Sequence, residues 1–393
     1  DSRPRGRLGP HNDRQQTQEE ERSVKKMEEY FVPWLKNIKM YISPHIELAW
    51  KDKSLVRMMS NENPNPPSKK VLAAIAQYGK VANLYADQGL VVRSKIAQIN
   101  GLDGPENVLI GNGSSEVFDM IWRSLLQPGD EVIQHTPCFG IYKLRGLVCG
   151  AKMVNVPMKP SPTELLFDAD AVIKAITPKT KIIVIANPNN PTGNFMDAKD
   201  FIKIAEVGLP FVVDEAYVEF AGLGKSQVEL TKKYENVIVT RTMSKAYGLA
   251  GMRFGYMLAC KKVVDQIAAT LIPWNVSTIA MWAALAAFED QKGLAERVKF
   301  NNDQIAYFEK ELGKIPGMVV HHSYGNYILM DAKGCGKKGN DIVEHARKQG
   351  LILRSQETMY DNDGWFRLTI GSAESNRRAV KAIREFCTGA AKA

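Results

Sequence analysis

The sequence predicts an α/β protein: a large domain with a mostly parallel sheet covered by helices, and a smaller α+β domain. Three observations carry this expectation. Short apolar runs at residues 108–110, 131–134, 181–186, 211–214, 237–240 and 255–259 alternate with helical segments, as in a sheet buried on both faces. After about residue 290 the pattern changes. A long helix leads to strands near 318–321 and 327–330, a helix over 340–349, strands near 351–354 and 365–370, and a last helix over 375–387. Finally, 393 residues are enough for more than one core.

In chain order, residues 1–29 read as a polar extension rich in Arg, Gln and Glu, with Met27 as a natural start. Residues 30–79 read as a segment that joins the small domain. Within it, "SNENPNPPSKK" (60–70) is a turn-rich loop, followed by a helix over 68–78. Residues 80–290 form the large domain and 291–393 the C-terminal small domain. No apolar run approaches the roughly 18 residues of a membrane span, and the N-terminus lacks the layout of a signal peptide. A cytoplasmic protein that binds no membrane is expected. The five cysteines include no C-x-x-C pair, and the six histidines include only the adjacent His321-His322. Neither a disulfide framework nor a metal site is expected. The net charge of +9 is spread among acids along the chain, which argues against nucleic acid and favours anionic small molecules.

Open α/β sheets bind ligands beyond the carboxyl ends of their strands. After residue 110 comes "GNGSSE", where Gly111 and Gly113 allow close backbone approach. A helix starting at Ser114 then offers unpaired N–H groups to an anion. After residue 186 comes the rigid polar loop "NPNNPTG". After residue 213 comes "DEAYVEF", in which Asp214 closes an apolar strand and must be paired or neutral. After residue 240 come Thr242, Ser244 and Arg253, which could hold a phosphate, with Arg241 as a further cation and Lys245 among them. Each feature alone has a plainer reading: a tight turn, a helix cap, a solvated lysine. Together they ask for a ligand with four features. These are a phosphate, a protonated ring nitrogen for Asp214, a phenolic oxygen for Asn190 and Tyr217, and a carbonyl that condenses with an amine. Pyridoxal 5′-phosphate has all four.

The chain resembles the fold-type I, pyridoxal-phosphate-dependent aminotransferases of class I/II, most closely the histidinol-phosphate aminotransferase branch. The matching stretches are "SNENP" (60–64), "GNGSSE" (111–116), "PCFGIY" (137–142), "NPNNPTG" (187–193), "VVDEAY" (212–217), "RTMSKAYGLAGMRFGY" (241–256), "LILR" (351–354) and "FRLTIG" (366–371). They run in family order across nearly all of residues 30–387. The resemblance implies that Lys245 forms the Schiff base, that Asp214 partners the pyridinium nitrogen, and that Asn190 and Tyr217 hold the ring hydroxyl. It implies a phosphate cup of Gly113, Ser114, Ser115, Thr242, Ser244 and Arg253, with Phe139 stacked on the ring. Tyr85 would reach the phosphate from the second subunit of a homodimer. Arg367, Arg354, Tyr41 and Asn63 would face the substrate. The chain departs from the family pattern at Tyr85-Ala86-Asp87, at Asn65-Pro66-Pro67 and at Phe139, where a tyrosine is common. These positions line the substrate side.

The implied activity is transamination between an amino donor, L-histidinol phosphate first, and 2-oxoglutarate as the 2-oxo acid acceptor. Lys245 would shuttle a proton, and Asp214 would keep the ring an electron sink. An aromatic amino-acid aminotransferase and a threonine-phosphate-type decarboxylase are the alternatives on the same scaffold. A pyridoxal-phosphate-binding regulator would need a DNA-binding domain, for which residues 1–29 are too short and too polar.

Overall fold

The structure, a computed structural model, describes residues 26–356 and 360–389. Residues 1–25 of the expected polar extension lie outside them. The described residues fall into two compact units, one ending at Asn37 and one beginning at Ile38. The first contains the short turns Met27–Glu29 and Pro33–Asn37. The sheets and the site belong to the second.

The apolar runs become a seven-stranded sheet. Its strands are β1 (Val108–Asn112), β2 (Glu131–Thr136), β3 (Lys152–Pro157), β4 (Thr180–Ala186), β5 (Phe211–Asp214), β6 (Val237–Thr242) and β7 (Phe254–Leu258), in the order β1-β7-β6-β5-β4-β2-β3. β7 runs antiparallel to both its neighbours, and the remaining pairs are parallel. Successive residues of one strand serve opposite faces. Ile183 and Ile185 join one apolar cluster, while Ile182 and Val184 join another. Burial on both sides is why β4 reads as an unbroken apolar run rather than an alternation. β3 was not expected from the sequence. It is one of the two edge strands, mostly exposed or half-buried, with only Val156 of its residues fully inside.

The C-terminal sheet is four-stranded, ordered Val319–Val320, Tyr327–Asp331, Trp365–Thr369, Arg354–Ser355. The run expected as one strand at 351–354 is split. Leu351–Ile352 pairs parallel with Val56–Arg57, while Arg354–Ser355 pairs antiparallel with Trp365–Thr369. The same region contributes Met58 to the apolar cluster formed by residues after 300, among them Ile305, Phe308 and Ile342. The chain just before the "SNENP" loop is therefore pinned to the C-terminal sheet, and the loop is carried toward the large sheet. Helix Lys69–Gly79 follows, capped as its sequence suggests by Ser68, whose side chain accepts from the Val71 N–H. Among the described residues no helix is long and apolar enough to cross a membrane. No cluster of three or more His, Cys, Asp or Glu among them is placed to hold a metal.

Candidate active site

Parallel strands deliver their loops to one edge of the sheet. The register fixes which residues meet there: Asp214 at the end of β5 lies level with Ala186 on β4 and Thr240 on β6. That register brings the Thr240 hydroxyl to donate to Asp214 Oδ1 at 3.2 Å, where the Ala216 N–H also donates at 3.2 Å. Oδ2 accepts from the Tyr142 phenol at 2.5 Å. Burial pushes the Asp214 carboxyl up to about 6, against the pull of these donors and of Lys245.

Lys245 lies in the turn after β6. Its Nζ donates to the Ser60 carbonyl at 3.3 Å and sits 5.6 Å from the centre of the Tyr217 ring. Burial brings the amine down to about 8. Arg367 and Arg253 pull the same way, and Glu62 and Asp214 oppose them. An ammonium that loses its proton near 8 is the free amine about a tenth of the time at pH 7, far more than an ordinary lysine, and so can serve as nucleophile and base. Tyr217 is raised to about 12, chiefly by burial. Its oxygen accepts from Asn61 Nδ2 at 2.8 Å and from Asn190 Nδ2 at 3.4 Å, which leaves its own O–H free to donate.

One side of this group is built to meet an anion. Gly113 caps the helix Ser114–Leu125 with φ +79°, and a Cβ there would lie 2.2 Å from Arg253 Nη2. Only glycine fits both the backbone and the guanidinium. Arg253 itself is left-handed at φ 54° and donates to the Ala250 carbonyl. Beneath it the Thr242 and Ser244 hydroxyls lie 3.0 Å apart, and the Ser244 N–H donates to Thr242 Oγ1. Ser114 and Ser115 open the helix, half-buried. Arg241, expected as a further cation here, points elsewhere. Its guanidinium is buried on Glu215, Asn100 and Ser226, because side chains alternate along β6 and residue 241 faces the side opposite Thr240 and Thr242.

The opposite side is supplied by the C-terminal sheet. Arg354 and Arg367 are directly paired across adjacent strands. The buried Arg367 donates from Nη1 to the side-chain oxygen Oδ1 of Asn190 and from Nη2 to the Met59 backbone carbonyl at 3.0 Å, while its Nε has no partner. Burial lowers it, Arg354 lowers it further, and the phenols of Tyr217, Tyr327 and Tyr41 raise it. Tyr41 is thus within electrostatic reach of Arg367, although it is exposed. Asn63, expected on the substrate, has its amide on the carbonyls of Lys245 and Ala246 at 3.3 and 3.2 Å, a hold on the backbone that carries the lysine. Phe139 is half-buried and meets Tyr142 edge-on at 5.9 Å. Tyr85 is 79 % exposed and stacks on Trp274 at 4.3 Å.

Two site residues were not foreseen from the sequence. Asn61, left-handed at φ 55°, ties Thr369 to Tyr217. Its N–H donates to Thr369 Oγ1 at 2.8 Å and its Nδ2 to the Tyr217 oxygen. Tyr142 closes the stretch "PCFGIY" but lies just past the loop that follows β2, as the second residue of helix Ile141–Val148. Its signal was the spacing from Phe139.

The family described as aminotransferase class I and II matches residues 53–383. A histidinol-phosphate aminotransferase of Maricaulis maris is 34% identical over 339 residues, which is 84% of this chain and 91% of that protein. One from Akkermansia muciniphila is 34% identical over 86% of this chain and 92% of its own length. Among solved structures, histidinol-phosphate aminotransferase from Sinorhizobium meliloti in complex with pyridoxal-5′-phosphate superposes with a TM-score of 0.81 at 26% identity, over 92% of this chain and 98% of that one. L-threonine-O-3-phosphate decarboxylase from Porphyromonas gingivalis, at 19% identity and a TM-score of 0.73 over 85% of this chain and all of that one, shares the fold.

Proposed function

Because the chain belongs to the class I and II aminotransferase family, we propose that it binds pyridoxal 5′-phosphate at this site. There it transfers an amino group between an amino substrate with an anionic tail, L-histidinol phosphate first, and 2-oxoglutarate. The observation that supports this most is the Lys245 amine, brought down to about 8 between an anion cradle, a buried carboxylate and a buried arginine. The donor set fits the cofactor. The Gly113 backbone, the Ser114–Leu125 N-terminus with Ser115, Thr242, Ser244 and Arg253 suit its phosphate. Asp214 suits its ring nitrogen, Asn190 and Tyr217 its ring oxygen, and Phe139 its face.

When bound, the cofactor supplies a carbonyl that condenses with amines and a ring that accepts electrons from the substrate's α-carbon. Lys245 Nζ would be the amine held for that carbonyl and, once free, the base that would take and return the proton at the substrate's α-carbon. Asp214 would accept the hydrogen bond of the ring nitrogen and favour its protonated form. Asn63 keeps the Lys245 backbone in place, and Asn61 keeps the Tyr217 oxygen. Arg367, with Arg354 and Tyr41 beside it, holds the anionic tail. Guanidinium forks suit phosphate and carboxylate alike, so one pair of cations serves both half-reactions. The relatives' names favour histidinol phosphate as the donor.

The same reading makes the enzyme a cytoplasmic homodimer in which Tyr85 serves the neighbouring subunit's phosphate site. The exposure of that ring supports this. It also treats residues 80–290 as the cofactor domain, and 291–393 with the segment 30–79 as the small domain, a division supported by the two sheets.

A half-reaction screen tests the function. The cofactor-loaded enzyme is mixed with histidinol phosphate, glutamate, phenylalanine, tyrosine and threonine phosphate, and absorbance and carbon dioxide are followed. Conversion to the pyridoxamine form by histidinol phosphate and glutamate is expected. Conversion by phenylalanine but not histidinol phosphate makes this an aromatic aminotransferase. Carbon dioxide from threonine phosphate without pyridoxamine overturns transamination.

A further inference from the structure

We propose that Tyr142 is a positioning residue for the reaction, whose phenol fixes the rotation of the Asp214 carboxylate and keeps it ionised. This rests on Asp214 being the partner of the ring nitrogen. Two of the three bonds to that carboxylate are long, 3.2 Å from Thr240 and 3.2 Å from Ala216, and both go to Oδ1. Oδ2 has one donor, Tyr142, at 2.5 Å. The Tyr142 side chain is fully buried and cannot turn away. Its ring meets Phe118 edge-on at 5.0 Å and Phe139 at 5.9 Å, and its own backbone carbonyl accepts from Trp122 Nε1 at 3.2 Å. Phe139 and Tyr142 stand three residues apart at the start of helix Ile141–Val148. One short stretch therefore supplies both the ring that would cover the cofactor's face and the hydroxyl that braces its carboxylate.

The direction of the bond is settled by its surroundings. The titratable groups facing the pair are Cys138, Tyr217, Tyr327 and Lys245. Burial pushes the Cys138 thiol and the Tyr217 phenol up to about 12, and the Tyr142 and Tyr327 phenols well above their usual range. These four stay neutral at physiological pH, so Tyr142 donates and Asp214 accepts, with Lys245 the one cation of the group. A bond made to the ionised form lowers an acid's pKa, and its removal raises it. Burial already carries Asp214 up to about 6. Losing the phenol moves it toward the physiological range, where a protonated carboxyl no longer offers a negative charge to a protonated ring nitrogen.

The test needs no turnover. In cofactor-free protein labelled with 13C at aspartate carboxyls, Asp214 is assigned by comparison with Asp214→Asn and titrated by NMR in wild type and in Tyr142→Phe. The variant's midpoint is expected to rise by roughly one to two pH units, the size of a hydrogen bond to a charged group. Its affinity for pyridoxal phosphate at pH 7 is expected to fall by about two- to tenfold, as the ionised fraction of Asp214 does, with far-ultraviolet circular dichroism unchanged. An unmoved Asp214 midpoint in the folded variant overturns the proposal. Should Tyr142→Phe not fold, wild-type protein labelled at tyrosine Cζ decides the same question. The Tyr142 resonance must shift with the Asp214 midpoint, and a resonance flat through it refutes the pairing. Reductive labelling of a lysine other than Lys245 takes down the site reading and the catalytic meaning of the pair together. An unmoved midpoint with Lys245 labelled takes down the proposal alone.

Discussion

Arg241 and Arg367 are both buried, 2 % and 7 % exposed, yet their surroundings differ. Arg241 has its hydrogen bonds answered: Nε by Glu215 at 3.0 Å, Nη1 by Asn100 at 2.8 Å and Nη2 by Ser226 at 2.7 Å. Burial pulls it down, but Glu215, Tyr256 and Glu219 outweigh that and hold it above its ordinary value. Arg367 pairs with no carboxylate among the described residues. Its neighbours are an amide, a carbonyl and three phenols, its Nε is unanswered, and burial leaves it below its ordinary value. A buried cation is costly unless it is paired. The fold meets that requirement within itself for Arg241 and leaves it to be met from outside for Arg367. Burial alone does not separate the two arginines; the presence or absence of an internal acid does.

The largest effect expected is at the amine beside Arg367. Lys245→Ala keeps the fold, measured by circular dichroism, and loses transamination by about 10^3-fold or more, since both the covalent step and the proton transfer depend on it.

Next comes the direct contrast between the two arginines. Arg241→Met strands Glu215 without its partner and is expected to cost about 3–5 kcal/mol in urea unfolding. Arg367→Met removes a cation that no carboxylate balances and should change stability by less than about 1 kcal/mol. It should instead raise KM for 2-oxoglutarate roughly 10- to 100-fold, the worth of a charge-assisted bidentate contact. If the two variants exchange these behaviours, the comparison fails.

A smaller effect concerns pH. Burial raises Asp214 to about 6 and Glu219 to about 7, and Glu219 Oε2 has no partner. Acids whose folded values exceed their unfolded ones bind more protons folded than unfolded. Their contribution to stability is therefore present at low pH and lost as pH rises, here between about 4 and 7. Glu219→Gln should remove part of this slope and become more stable than wild type by up to about 3 kcal/mol at pH 8, and by under about 1 kcal/mol at pH 5. Urea titrations at the two pH values check it. The smallest effect is at Arg354, which is half-buried and faces Arg367 across the sheet. Arg354→Met should raise KM only a few-fold, because solvent screens it.

What could be read from the sequence divides along the same physical line. Runs buried on both faces, such as residues 182–186 of β4 and 211–213 of β5, were legible because burial on both sides leaves them continuously apolar. The edge strand β3 was not, since its residues alternate weakly and most face solvent. Nor was the reversal of β7, because strand direction leaves no trace in composition. The break at Leu353 was hidden because both halves of 351–355 are apolar or paired, and only their partners differ. At the site, polar residues that end apolar strands stood out: Asp214, the "NPNNPTG" loop and the turn holding Lys245. Arg241 shared that signal and was misplaced, since the alternation of side chains decides its face. Asn61 and Tyr142 could not be placed by reading strand ends, because one arrives from the small sheet and the other from a helix.

Reductive trapping tests the central claim most directly. The protein loaded with pyridoxal phosphate is treated with borohydride, digested, and its peptides are mapped by mass spectrometry. One phosphopyridoxyl group per chain is expected, on Lys245, and none in Lys245→Ala. A label on a different lysine, or the same yield from Lys245→Ala, contradicts the assignment of Lys245 as the amine that joins the cofactor.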